Sequence, residues 1–344
     1  MTWIKIPLQI MYQVYICTQY IYEVNMKAVQ FSTFGNPDVL QIVDIAMPHV
    51  GPRQVRIQVR AAGINASDWK KRQGLLDPIL PQTMGYEAAG IVDEVGEGVT
   101  NIKLGDRVFG FCTNSAAQAE YAVLTYYSHM PASLDFPSAA ALPVIIETAA
   151  RVLDQLDVVD GTCLLINGAS GNIGAAAIQL ALVRGARVIG IASPEKCEYI
   201  RSLGAEPVSY GPNMTRNVLD LVPSGVDRVL DVAGNGVLPE LISLAAKARN
   251  VITISDLIGA QTHNVRFSKG DDGRALYILA QIDSLIEAGK FSAPAVQCFP
   301  LTKVAKAHHI GETGQALGKL ILTIDPCSTL VSNGTNTPST EYIA

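Results

Sequence analysis

The chain has 344 residues, of which 49% are hydrophobic and 17% charged, and its net charge is −5. The length allows two domains with real cores, and the composition excludes a disordered chain. An acidic balance without a basic stripe excludes nucleic acid as the expected partner.

Residues 1–25 are apolar and aromatic, but they lack a basic n-region and a small-residue cleavage site, so they make a poor signal peptide. Gln9, Gln13, Gln19 and Glu23 interrupt the run too often for a membrane span. They read as a leader outside the fold, with the domain starting at Met26. From there to residue 124 the pattern is β. Val55, Ile57 and Val59 alternate along one strand, and apolar runs follow at 89–95, 107–111 and 120–124. Gly85, Gly90, Gly96, Gly98, Gly105 and Gly110 punctuate them, which predicts a small β-barrel or sandwich.

The texture then changes to strands alternating with helices. Helices are predicted at 138–156, 173–183, 194–203, 237–246 and 275–288, and strands at 163–166, 187–191, 228–232 and 250–254. This alternation predicts a parallel, doubly wound α/β sheet. Two last strands, 295–299 and 319–324, return to the first lobe, and a tail rich in Ser, Thr and Asn follows. Cys17, Cys112, Cys163, Cys197, Cys298 and Cys327 stand far apart with no C-x-x-C pair. They read as the reduced thiols of a cytoplasmic chain.

The strongest motif runs from Leu164 through Asn167, Gly168, Ala169, Ser170, Gly171, Asn172 and Ile173 to Gly174. A buried strand enters a Gly-rich turn that opens an Ala-rich helix. Such a turn lets the backbone approach a pyrophosphate, and the helix N-terminus offers free N–H groups to it. Ala169 stands where the strict fingerprint has its first glycine. Ser170 is followed directly by Gly171, so a serine-hydrolase elbow is disfavoured. The next strand ends at Ser193 instead of at the carboxylate that would bind a ribose 2′-hydroxyl. Ser193, Lys196 and Tyr210 suit a 2′-phosphate, with Glu195 as a counter-signal, so the expected cofactor is NADPH.

With these residues in view, the chain resembles the medium-chain dehydrogenase/reductase superfamily, most closely its zinc-free, quinone oxidoreductase-like branch. The resemblance covers nearly all of 26–324. It rests on Met26-Lys27-Ala28, Ala62-Gly63-Ile64-Asn65-Ala66-Ser67-Asp68, Gly85-Tyr86-Glu87-Ala88-Ala89-Gly90 and Gly105-Asp106-Arg107-Val108-Phe109-Gly110. The phosphate turn, Phe299-Pro300-Leu301 and Gly318-Lys319-Leu320 complete it. It implies a leader at 1–25, a GroES-like β-barrel catalytic domain at 26–147, a Rossmann NADPH-binding domain at 148–285, a return segment at 286–326 and a disordered tail at 327–344. It also implies a homodimer.

The resemblance implies that the positions of the catalytic zinc ligands are held here by Asn65, Tyr86 and Val144, which supply no thiolate, imidazole or carboxylate. No metal is therefore expected. Hydride would pass from NADPH to an activated small-molecule acceptor: a quinone, a conjugated enone or an enoyl thioester. The resemblance places Asn65 at the nicotinamide pocket, Thr148 near the carboxamide and Lys319 near the cofactor. The tyrosine that many relatives carry after the first motif is missing, since that place reads Gly74-Leu75-Leu76-Asp77. Tyr86 reads either as the proton donor or as a packed aromatic. Asp106, Arg107 and Asp231 read as structural, and His308 and His309 as surface residues of a helix. An enoyl-thioester reductase and a non-catalytic NADPH-binding protein stay open beside the reductase of quinones or enones.

Overall fold

The computed structural model describes residues 25–270 and 273–325. The leader, apart from Asn25, and the tail at 327–344 lie outside the described residues.

The first lobe comprises β1 (Asn25–Phe31), β2 (Gln41–Ala46), β3 (Val55–Gly63), α1 (Ala66–Arg72), β4 (Gln82–Thr83), β5 (Glu87–Val95), β6 (Arg107–Cys112) and β7 (Tyr121–His129). Two helices, α2 (Phe136–Ala140) and α3 (Pro143–Gln155), lead out of it. The second lobe follows as β8 (Cys163–Asn167), α4 (Asn172–Val183), β9 (Arg187–Ala192), α5 (Cys197–Ser202), β10 (Glu206–Ser209) and α6 (Met214–Leu221). It continues with β11 (Arg228–Asp231), α7 (Leu238–Leu244), β12 (Val251–Thr253), α8 (Leu257–His263), β13 (Arg266–Phe267) and α9 (Ile278–Glu287). The chain ends its described part with β14 (Val296–Pro300), α10 (Val304–Glu312) and β15 (Lys319–Thr323).

Alternation in β3 buries Val55, Ile57 and Val59 completely and leaves Arg56 and Gln58 half-buried. β3 pairs with β5, with β15 and with the start of β7, so the sheet closes on itself. This is the GroES-like barrel. In the second lobe the parallel order is β10-β9-β8-β11-β12-β13. Counted from the first strand of that lobe, it is the 3-2-1-4-5-6 order of a Rossmann sheet. The return segment adds β15 antiparallel to β3 and β14 parallel to β15.

The helix expected at 138–156 is two helices, because Pro143 cannot continue α2 and starts α3 instead. The boundary drawn at 147/148 falls inside α3. The stretch Phe136–Gln155 is long and apolar enough to cross a membrane, but 78% of its apolar window lies inside the protein. Amphipathic α3 presents Ile145, Ile146, Ala149 and Val152 to the core, as buried helices do.

One expectation is corrected. His309 is exposed on α10, but His308 is fully buried. Val304, Ala307 and His308 share one helical stripe at i, i+3 and i+4, and that stripe faces the core. The spacing was in the sequence, but the polarity of histidine hid it.

Candidate active site

Sheet register assembles the centre of the site. Gly63 at the end of β3 lies opposite Ile321, and Ala62 opposite Ala88. The Ile64 N–H donates to the Leu320 carbonyl at 3.0 Å. Asn65, Glu87 and Lys319 are therefore drawn from three neighbouring strands to one point. All three are buried.

The Lys319 ammonium donates to Asn65 Oδ1 and stands 2.7 Å from Glu87 Oε1. Asn65 Nδ2 donates to Glu87 Oε1 at 2.8 Å. The second Glu87 oxygen accepts the Val144 N–H at 2.7 Å, near the uncapped N-terminus of α3. A carboxylate is favourable there because the helix dipole is positive at that end. Gly63 makes room for it, since a Cβ on Gly63 would collide with the Glu87 carboxylate. Sequence reasoning passed over Glu87 and Gly63. The signal is present in Gly63, two residues before Asn65, a glycine where a side chain from the next strand must approach.

Asn65 also caps α1. Its N–H donates to Asp68 Oδ2 at 2.7 Å, and the Gly85 N–H donates to Asp68 Oδ1 at 3.2 Å. Burial pushes the Asp68 carboxyl up to about 7. Tyr86 is half-buried, and its phenol shares a hydrogen bond with Ser115. Burial and the charge of Asp68 push that phenol up to about 12, so it stays protonated across the physiological range. The Lys71 ammonium lies 5.8 Å from the Tyr86 ring centre and donates to the Thr83 carbonyl at 2.7 Å.

These residues do not make a zinc site. Asn65 Oδ1 is taken by Lys319, Val144 offers no donor side chain, and the half-buried Cys112 thiol is pushed up by desolvation and then by the charge of Glu87. Among the described residues no three His, Cys, Asp or Glu side chains cluster for a metal.

Thr148 is one helical turn beyond Val144, on the same face of α3. Its hydroxyl accepts from Arg151 Nη2 at 3.4 Å. Arg151 is itself fixed by Glu147 at 3.0 Å and by the Ser268 hydroxyl, and Glu147 accepts the Ala275 N–H. The buried Glu147–Arg151 pair thus ties α3 to the end of the parallel sheet.

Gly168 takes φ +81°, and its missing Cβ lets Ala233 approach. Gly171 caps α4 without a side chain, which leaves the first-turn N–H groups for a ligand. A Cβ on Gly174 would collide with the Gly168 carbonyl. Ala169 is completely buried. Ser170, Asn172 and Ile173 line the half-exposed rim of the turn. This cradle fits a pyrophosphate. Asn167 Nδ2 bonds Asp231 Oδ1 at 2.8 Å, and Asp231 Oδ2 accepts from Thr253 Oγ1 at 2.7 Å. Asp231 Oδ1 also accepts the Gly234 N–H at 3.1 Å. Asp231 therefore shapes the loop beside the cradle. At the end of β9, Ser193 donates to Glu195 Oε1 at 2.5 Å. Lys196 and Tyr210 are exposed nearby, and the Tyr210 N–H bonds the Ala192 carbonyl at 2.8 Å.

Comparison with known proteins agrees with this geometry. The family Alcohol dehydrogenase GroES-like domain matches residues 51–134, and the family Zinc-binding dehydrogenase matches residues 203–322. The chain is 33% identical to the quinone oxidoreductase of Sus scrofa, over 87% of this chain and 98% of the relative. It is also 33% identical to the chloroplastic NADPH-dependent alkenal/one oxidoreductase of Arabidopsis thaliana, over 87% of this chain and 79% of the relative. Its structure is similar to that of the quinone oxidoreductase from Coxiella burnetii, with a TM-score of 0.76 and 30% identity, covering 88% of this chain and 100% of that one.

Proposed function

The chain belongs to the quinone oxidoreductase-like branch of the medium-chain dehydrogenase/reductase superfamily, and we propose that it moves a hydride from NADPH to a quinone or an α,β-unsaturated carbonyl without zinc. One observation supports this reading: Asn65, at a position the resemblance assigns to a zinc ligand, has its side-chain amide engaged by Lys319 and Glu87. Without a Lewis acid, the acceptor must already be activated by conjugation, so that hydride addition gives a stabilised oxyanion or enolate.

When bound, NADPH supplies the hydride and leaves as NADP⁺. The turn from Gly168 to Gly174 would hold the pyrophosphate, and Ser193, Lys196 and Tyr210 the 2′-phosphate. Thr148 would face the carboxamide. Asn65, fixed by Glu87 and Lys319, would line the nicotinamide pocket and keep its orientation. Lys319 adds positive charge next to the developing negative charge. Tyr86 stays protonated and donates the proton that completes the reduction.

A homodimer fits the free edge of the parallel sheet at β13, with Leu257 and Ile258 exposed on the preceding α8. A reducing, cytoplasmic setting fits the free thiols of Cys112, Cys163, Cys197 and Cys298.

The test is a titration with NADPH and NADH, followed by quinone and enone acceptors in the presence of a chelator. The expected result is tight NADPH binding and acceptor-dependent oxidation that the chelator does not slow. Loss of activity on chelation overturns the zinc-free reading, and binding without oxidation of any acceptor overturns the reductase reading. Tyr86→Phe is expected to lower kcat by roughly a hundredfold with unchanged NADPH affinity. Unchanged kcat would return Tyr86 to a packing role.

A further inference from the structure

Arg274 reaches from the second lobe to the first. It follows β13, yet its guanidinium carbon stands 4.3 Å from the ring centre of Phe111 and 5.4 Å from that of Tyr126, both in the barrel. At these distances a cation is held by the face of an aromatic ring. Arg274 is half-buried, and its Nε is enclosed without a hydrogen-bond partner among the described residues. The stack on the two rings, not a hydrogen bond at that atom, offsets its burial.

The two rings lead to the candidate active site. Glu87 of β5 pairs directly with Phe111 of β6, and Phe111 pairs directly with Tyr126 of β7. Directly opposed residues share one face of a sheet. Glu87, Phe111 and Tyr126 therefore form a row across neighbouring strands. One end of the row belongs to the Asn65–Glu87–Lys319 cluster, and Arg274 covers the other end.

Behind Arg274, its loop is fastened to α3. The Ala275 N–H donates to Glu147 Oε1 at 3.2 Å, and Ser268, earlier in the same loop, bonds Arg151 Nη1. Arg151 Nη2 in turn donates to the Thr148 hydroxyl at 3.4 Å. The first turn of α3 is held by Glu87 through the Val144 N–H. The contacts thus close a circuit from Glu87 through Phe111, Arg274 and the Glu147–Arg151 pair to Thr148, and back along α3 to Glu87. The Arg274 stack is the link by which this loop of the second lobe grips the barrel.

We propose that Arg274 is a positioning residue: its stack on Phe111 and Tyr126 sets the spacing between the α3 wall assigned to the nicotinamide and the Asn65–Glu87–Lys319 cluster. This inference rests on the reductase reading for the hydride step, but not for the spacing itself. Hydride transfer needs donor and acceptor carbons held at near-attack distance, and a misplacement of about 1 Å can cost roughly a hundredfold in rate. A link remote from the reacting atoms therefore acts on kcat.

The test uses Arg274→Ala, Arg274→Lys, Tyr126→Ala and the double variant Arg274→Ala/Tyr126→Ala, with NADPH and 1,4-naphthoquinone. Tyr126 is 43% exposed, so its truncation leaves the barrel core intact. Arg274→Ala is expected to lower kcat by roughly ten- to a hundredfold, with NADPH affinity and the quinone KM within about twofold. Arg274→Lys should recover part of the loss, because it keeps the cation but not the planar stack. Tyr126→Ala should lower kcat by a smaller factor, and it should cost nothing further in the Arg274→Ala background. A second readout needs no turnover. The chain has two tryptophans, so Trp3→Phe leaves Trp69 of α1 as the donor of fluorescence energy to bound NADPH. The Trp69 decay in the NADPH complex should shift or broaden in Arg274→Ala.

Unchanged kcat in Arg274→Ala would make the stack a stability contact only and overturn the proposal, whatever the melting temperature. Fully additive losses in the double variant would separate Arg274 from Tyr126 and overturn it as well. A fall in kcat with an unchanged Trp69 decay would assign Arg274 to direct contact with the acceptor, which also overturns the spacing role. If the Trp69 decay changes and the unmodified protein reduces no quinone or enone, the spacing role stands and the reductase reading falls.

Discussion

The Lys319 ammonium lies 2.7 Å from Glu87 Oε1, with the two side chains only 3% and 0% exposed. Two charges this deep are stable only while paired, because desolvating either one alone is costly. Lys319→Met leaves Glu87 buried with its charge uncompensated. The expected loss is about 3–5 kcal/mol of unfolding free energy, read by urea denaturation. Adding Glu87→Gln removes the stranded charge and should recover a large part of it. A double variant no more stable than Lys319→Met would show that the two residues are not coupled.

His308 is buried on α10, and neither ring nitrogen has a partner among the described residues. Burial, reinforced by the charge of Arg72, lowers it to about 3, so the folded protein holds it neutral. The unfolded chain protonates it below about 6.5. Between those values the unfolded state binds the extra proton, so stability falls as pH falls. The loss is about 1.4 kcal/mol per pH unit. His308→Leu should therefore gain relative to the unmodified protein as pH drops from 7 to 5. A difference independent of pH would show that His308 is reached by water and titrates normally.

Asp68 has the opposite sign. Burial raises it to about 7, so it keeps a proton in the folded state that the unfolded chain gives up near 4. Stability from this group is present at low pH and is lost as pH rises from about 4 to about 7. Between about 4 and 6.5 it offsets the His308 effect. Asp68→Asn cannot ionise and keeps an acceptor for one of its N–H donors. Its melting temperature, compared with the unmodified protein, should improve from pH 5 to about pH 7 and then level off. A constant gap would show that the Asn65 and Gly85 N–H groups hold the carboxyl ionised throughout.

The repeating parts of the fold were readable because they obey simple periods. The alternation of Val55, Ile57 and Val59, and the strand–turn–helix around Gly168, are local signals. The departure at Ala169 became clear only across strands. A Cβ on Gly190 of β9 would lie 2.9 Å from the Ala169 methyl, so the glycine that the turn lacks is matched by one on the neighbouring strand. The Asn65–Glu87–Lys319 cluster spans 254 residues and depends on register, which no local pattern reports. The break at Pro143 is written in the sequence, but the Ala- and Leu-rich run on both sides of it reads as one continuous helix. His308 shows the converse: a polar residue that reads as surface sits on a helical stripe that faces the core.

At the end of β9, Ser193 donates to Glu195 at 2.5 Å, while Lys196 is exposed beside them. On the proposed reading, a 2′-phosphate arriving here would gain from Lys196 and from the Ser193 hydroxyl, but it would meet the Glu195 carboxylate and have to take Ser193 away from it. These are exposed charges, so each contributes modestly and is screened by salt. Glu195→Gln removes the repulsion and should tighten NADPH binding by roughly two- to fivefold, with little effect on NADH. Lys196→Ala should weaken NADPH by a similar factor and leave NADH unchanged. Fluorescence titration with both cofactors at low and high salt checks the pair, and the differences should shrink as salt rises. If Glu195→Gln weakens NADPH instead, Glu195 is orienting Ser193 toward the ribose, and the 2′-phosphate must be held elsewhere on this edge.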